Sequence, residues 1–106
     1  MQFIVIGRDG KDPEAMNRRM AARPAHIALC DEMAAKGQQL LGFALVDCEG
    51  KMNGSAMIFE LPDRAALDTW LKKEPYVTGK VWETVEVSEC RIGPSFQKTL
   101  DKIKAN

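Results

Sequence analysis

Leu40-Leu41-Gly42-Phe43-Ala44-Leu45-Val46, followed by Asp47-Cys48-Glu49-Gly50-Lys51 and then by Met52 to Glu60, is the stretch that decides the fold. Its first segment is apolar on both alternating sets and rich in strand formers, so it reads as a strand covered on both faces. The second is a polar hairpin loop with a glycine where a positive φ is needed. Met52 to Glu60 is then the return strand, antiparallel to its predecessor, with Gly54 and Ser55 leaving room for a backbone or a ligand to come close.

Upstream, Gln2 to Gly7 is a second run apolar on both alternating sets, Phe3 with Val5 and Ile4 with Ile6, and Gly7 to Gly10 carries turn chemistry. Asp12-Pro13-Glu14 reads as the N-cap, first position and acidic first turn of a helix. That helix is expected to pass through Arg19 and Met20, to kink or break at Pro24, and to continue to Lys36, with Gly37 as its C-cap. Downstream, Pro62 ends the return strand and Asp63 caps a second amphipathic helix bearing Ala66, Leu67, Trp70 and Leu71. Glu74-Pro75 marks its exit. Tyr76 to Lys80 reads as a connection, and Val81 to Ile92 as a last strand with the alternation Val85-Glu86-Val87.

The order strand, helix, strand, strand, helix, strand predicts an α+β fold, a ferredoxin-like βαββαβ sandwich with an antiparallel sheet and two helices on one face. The other face would expose a large apolar patch, so a homodimer through the open sheet face is expected, giving a dimeric α/β barrel. Residues 94–106 form a tail in which Phe96, Leu100 and Ile103 share a helical face. So short an element needs a docking surface, and the partner subunit is one candidate.

At 106 residues and 45% hydrophobic, the chain fits one domain spanning 1–106. Its 15 basic and 15 acidic side chains leave no net field to attract nucleic acid or an anionic membrane. The N-terminal apolar run is too short for a signal peptide and no run reaches membrane-spanning length, so a cytoplasmic protein without membrane partners is expected. Cys30, Cys48 and Cys90 are odd in number and widely spaced, which points to reduced thiols rather than disulfides or a zinc site. Cys30 reads as a small hydrophobe on a buried stripe rather than as a nucleophile. No metal or organic cofactor motif is present, so none is expected.

The chain has one histidine, His26, with Leu29, Cys30 and Met33 at the spacings of one helical stripe. With Pro24 at a first helical position, His26 would lie in the first turn, where the helix dipole disfavours imidazolium. A neutral histidine of that kind reads as a general base, as a donor to a substrate oxygen, or as a structural tie between helix and strand. Glu74 either orients His26 or is a solvated cap partner. Ser55 either bonds a ligand or permits close packing, and Tyr76 either lines a pocket or sits in the core. Arg19 and Arg23, one helical turn apart, either grip a carboxylate or phenolate or pair with Asp31 or Glu14 at the surface.

Arg19, Arg23-Pro24-Ala25-His26, Gly37, Gly54-Ser55, Trp70-Leu71, Glu74-Pro75-Tyr76-Val77, Glu83 and Val85-Glu86-Val87 together resemble the YciI-like (YCII-related) family along nearly the full chain. The resemblance implies a ferredoxin-like fold, a dimer related to muconolactone-isomerase-type barrels, and an enzymatic role resting on a histidine and an aspartate. The histidine corresponds to His26. The aspartate that precedes Pro-Tyr-Val in typical members is Glu74 here, a carboxylate one methylene longer. One branch of the family is associated with dehydrochlorination of a hydroxylated aromatic. The resulting expectation is a cofactor-independent lyase or isomerase in which His26 and Glu74 do acid–base chemistry on a small oxygenated metabolite, aromatic ones included. Ser55, Tyr76, Arg19 and Arg23 would bind the substrate. The alternatives are a non-catalytic dimeric ligand-binding or accessory protein and a purely structural interaction domain.

Overall fold

The structure, a computed structural model, describes residues 1–105. The chain runs β1 (Gln2–Asp9), α1 (Ala15–Ala35), β2 (Gln39–Val46), β3 (Met52–Glu60), α2 (Arg64–Lys73), the single turn α3 (Pro75–Thr78) and β4 (Trp82–Cys90). A 3-10 turn at Pro94–Phe96 and α4 (Gln97–Ala105) close it. The strands form one antiparallel sheet in the order β2-β3-β1-β4, the ferredoxin-like arrangement of an α+β fold.

Register sorts the apolar residues onto two faces. Phe3 opposes Phe59, and Val5 opposes Met57 and Val87; on this face Met33, Leu67, Trp70 and Tyr76 complete the buried core. Ile4 opposes Ile58, while Ile6 and Phe43 both oppose Ala56, so these side chains share the other face. There Leu41 and Phe43 stay 47% and 49% exposed. Both alternating sets of β1 and β2 are apolar because the two faces both carry apolar surface, yet only one is covered by α1 and α2.

The first helix departs from expectation in two ways. Asp12 does not cap it directly: Asp12 Oδ2 accepts from the Glu14 N–H at 3.2 Å and the carboxylate also takes Arg18, and the helix begins at Ala15. Pro24 does not end it. The helix continues through the proline, at a point where Pro24 and Met20 are both exposed residues. His26 therefore lies near the middle of a helix of 21 residues, far from the dipole's positive end. At the C-terminus the Gln38 N–H bonds the Met33 carbonyl and the Gly37 N–H that of Ala34, with Gly37 at φ +71°; this is a Schellman cap.

The segment Gly7 to Gly10, expected as a turn, is largely strand, because β1 keeps pairing with β4 as far as Asp9. The second helix follows expectation, with Asp63 Oδ1 accepting from the Ala66 N–H at 2.9 Å. The tail is seated on its own chain: α4 lies against β2, Leu100 is buried, and Lys104 pairs with Glu60. Among the described residues no helix is long and apolar enough to cross a membrane.

Candidate functional site

His26 points from the inner side of α1 toward the junction of α2 and α3. Pro75 holds Glu74 in an extended conformation at φ −64° and ψ 122°, which ends α2 and turns the Glu74 carboxylate inward. Glu74 Oε1 then accepts from the Tyr76 N–H at 3.1 Å, capping α3, and from His26 Nδ1–H at 2.5 Å. Glu74 is 0% exposed, so it is an interior carboxylate rather than a solvated cap. His26 itself is 12% exposed.

This pairing reverses the charge state expected for His26. Burial alone would lower its pKa, but the hydrogen bond with Cys30 and the hydrogen bond and charge of Glu74 outweigh it and lift the imidazole to about 9. The ring is an imidazolium at neutral pH. The neutral form was inferred from a helix terminus that the tertiary structure does not place there.

Behind the pair is a stack of planar groups. The Tyr76 ring lies 3.8 Å from the imidazole at 12°, and the Arg19 guanidinium lies 4.8 Å from the Tyr76 centroid. Arg19 is 3% exposed and donates to Asp9 at 3.0 and 3.1 Å and to Ser55 Oγ at 3.1 Å. Burial raises the Asp9 carboxyl even though Arg19 pulls it down, and burial likewise raises the Tyr76 phenol. Trp82 Nε1–H donates to Ser55 Oγ at 3.3 Å, and its ring meets His26 edge-on at 6.3 Å. Trp82 occupies the space above Gly7, where a Cβ would stand 2.3 Å from the indole. The space beside Gly54 is likewise filled by protein, since a Cβ there would come within 2.8 Å of the Gly7 carbonyl oxygen.

In front of His26 is a cleft of about 420 Å³ between α1 and the β2 edge of the sheet. Arg23, His26 and Cys30 line it from the helix, and Gln39, Phe43 and Ser55 from the sheet. The six expected site residues thus divide. His26, Arg23 and Ser55 reach the cleft, whereas Glu74, Tyr76 and Arg19 stand behind it and hold the imidazole. Arg19 is paired with Asp9 in the interior, not with Asp31 or Glu14 at the surface, so of the two arginines only Arg23 faces the cleft.

Sequence reasoning missed Asp9, Gln39 and Trp82, and read Cys30 only as a small hydrophobe. Asp9 continues the alternation of Phe3, Val5 and Gly7 on one strand face, and that period could have found it. Cys30 lies at the i+4 spacing from His26, and its Sγ is 3.5 Å from Nε2. Gln39 Oε1 is buried without a protein donor beside the cleft, which makes it an acceptor open to a ligand hydroxyl. Among the described residues, no set of His, Cys, Asp and Glu side chains is arranged to hold a metal ion.

The YCII-related domain family matches residues 1–91 of the chain. Protein YciI of Escherichia coli is 26% identical over 93 residues, covering 82% of this chain and 93% of that protein, and the YciI protein of Shigella flexneri matches equally. Among solved structures, the 5-chloro-2-hydroxyhydroquinone dehydrochlorinase TftG of Burkholderia phenoliruptrix, in complex with 2,5-dihydroxybenzoquinone, superposes with a TM-score of 0.78 at 18% identity, covering 90% of this chain and 98% of that one. An antibiotic biosynthesis monooxygenase superposes with a TM-score of 0.52 at 22% identity, covering 89% and 100%. At these identities the two structures share the fold.

Proposed function

We propose, from the premise that this chain belongs to the YCII-related family, that it is a small-molecule enzyme of lyase or isomerase type, in which the His26–Glu74 pair moves a proton on a small oxygenated metabolite, aromatic ones included. One observation carries the reading: Nδ1 of His26 is held by a fully buried carboxylate, while the ring's other nitrogen belongs to a residue lining the cleft. With Glu74 holding Nδ1–H, Nε2 is the nitrogen that meets substrate.

Because the imidazolium persists to about pH 9, His26 starts the reaction as an acid. Nε2–H protonates, or donates a hydrogen bond to, an oxygen on which negative charge develops as a C–H bond or a leaving group departs. The neutral imidazole left behind then serves as the base that restores the proton. Arg23 offers a cation for a carboxylate or phenolate. Ser55, whose oxygen accepts from Arg19 and Trp82, keeps its own O–H to donate. Tyr76 and Arg19 fix the plane of the ring.

The likeness to TftG supports the substrate class, since that dehydrochlorinase holds a flat, oxygen-rich ring, and a cleft of about 420 Å³ is of the size that takes small molecules. The apolar open sheet face supports a homodimer, and the three free cysteines support a reducing, cytoplasmic setting. The test is to assay the protein and its His26→Gln variant against hydroxylated and halogenated aromatics. Turnover should fall by about 100- to 10,000-fold in the variant while binding is largely kept. Unchanged turnover would overturn the acid–base role, and tight binding with no product from any compound would point to the binding-module alternative.

A further inference from the structure

We propose that Cys30, His26 and Glu74 form a thiol–imidazole–carboxylate relay that makes Cys30 a covalent nucleophile for soft carbon electrophiles, conjugated enones above all. The inference rests on the reading above for the cleft being a ligand site, but not for the reaction that occurs there.

The geometry is continuous. Cys30 Sγ lies 3.5 Å from His26 Nε2, and His26 Nδ1 lies 2.5 Å from Glu74 Oε1. Nucleophile, imidazole and orienting carboxylate thus follow one another within hydrogen-bond reach. Helical spacing puts the thiol on the same face as the imidazole, and both line the cleft. The chain has one histidine, so neither Cys48, exposed in the β2–β3 loop, nor Cys90, at the end of β4, has such a partner. The ring beside the sulfur also lines the cleft, so a ligand that reaches Cys30 Sγ also reaches His26 Nε2. Ile27, Ala34 and Met57 give the cleft apolar surface suited to a carbon skeleton.

In the reaction the Cys30 sulfur bonds to the β-carbon of the enone and the C=C electron pair shifts onto the carbonyl oxygen. That oxygen takes the Nε2 proton of the His26 imidazolium and the thiol's proton replaces it at Nε2, so the imidazolium ends as it began and the product is a neutral thioether enol. Nothing is oxidised or reduced, and the reverse elimination returns thiol and enone.

The experiment treats the whole protein with limiting N-ethylmaleimide near neutral pH and follows each cysteine by peptide mass spectrometry. Cys30 should be modified about tenfold or more faster than Cys48, although Cys48 is the more exposed. His26→Gln and Glu74→Gln should remove that advantage and leave the Cys48 rate unchanged, which also reports an intact fold. Cys30 reacting no faster than Cys48 in the wild type, a comparison that needs no variant, overturns the proposal; so does a Cys30 rate indifferent to His26. The two readings fail separately. Slow Cys30 labelling with His26-dependent turnover sinks only the relay, whereas fast, His26-dependent labelling without turnover sinks only the acid–base enzyme.

Discussion

A buried glutamate decides the chemistry of the single histidine. Removing the Glu74 carboxylate would leave an imidazolium unpaired in a largely dry site and a Tyr76 N–H uncapped, so Glu74→Ala should cost about 3–5 kcal/mol in a denaturation experiment. The folded pKa of about 9 lies above the ordinary 6.5, so the pair's contribution is complete below pH 6.5 and is lost as pH rises through 9. Its size is on the order of 3 kcal/mol. Urea midpoints should therefore fall between pH 6.5 and 9, and in His26→Gln that decline should disappear. His26 and Cys30 could be singled out in the sequence as an i, i+4 pair on one face. Their charge state could not, because it depends on a carboxylate 48 positions away in the chain.

The elements of the site are held by close backbone approach as much as by caps. Trp82 reaches His26, Ser55 and Tyr76 because Gly7 leaves the sheet surface bare beneath its indole. Gly7→Ala would put a methyl group 2.3 Å from that ring, and the overpacking should cost about 1–3 kcal/mol and alter the tryptophan fluorescence. An unchanged midpoint and spectrum would show that the indole is free to move aside. The ends of α2 were legible, since Asp63 and Glu74-Pro75 act through local backbone rules. The break allowed for at Pro24 does not occur, because the helix runs through the proline on its exposed side.

For the whole molecule, one sheet face is covered by helices and the other carries exposed Leu41 and Phe43 beside half-buried Ile58, Ile4 and Ile6. Burying such a surface against a second copy is the expected solution in water. Sedimentation should give a mass near twice that of the chain, and Phe43→Glu, which places a charge on the exposed β2 side of that face, should shift the protein to a monomer with its fold retained. A wild type that sediments as a single subunit would rule out the dimer. Phe43 also lines the cleft, so the same variant should alter ligand binding.

The sequence by itself determined the order of the four strands and of α1 and α2, the antiparallel pairing and the two-sided apolar character of β1 and β2, but not α3, whose residues read as a connection. Those features follow from side-chain period, hairpin chemistry and caps, all of which act within a few residues. Only the tertiary structure decided that Glu74 lies fully buried against His26, that Arg19 is committed to Asp9, and that a thiol faces the remaining ring nitrogen. Contacts between residues far apart in the chain, and the loss of water around them, set partners and proton affinities, and no local pattern encodes either.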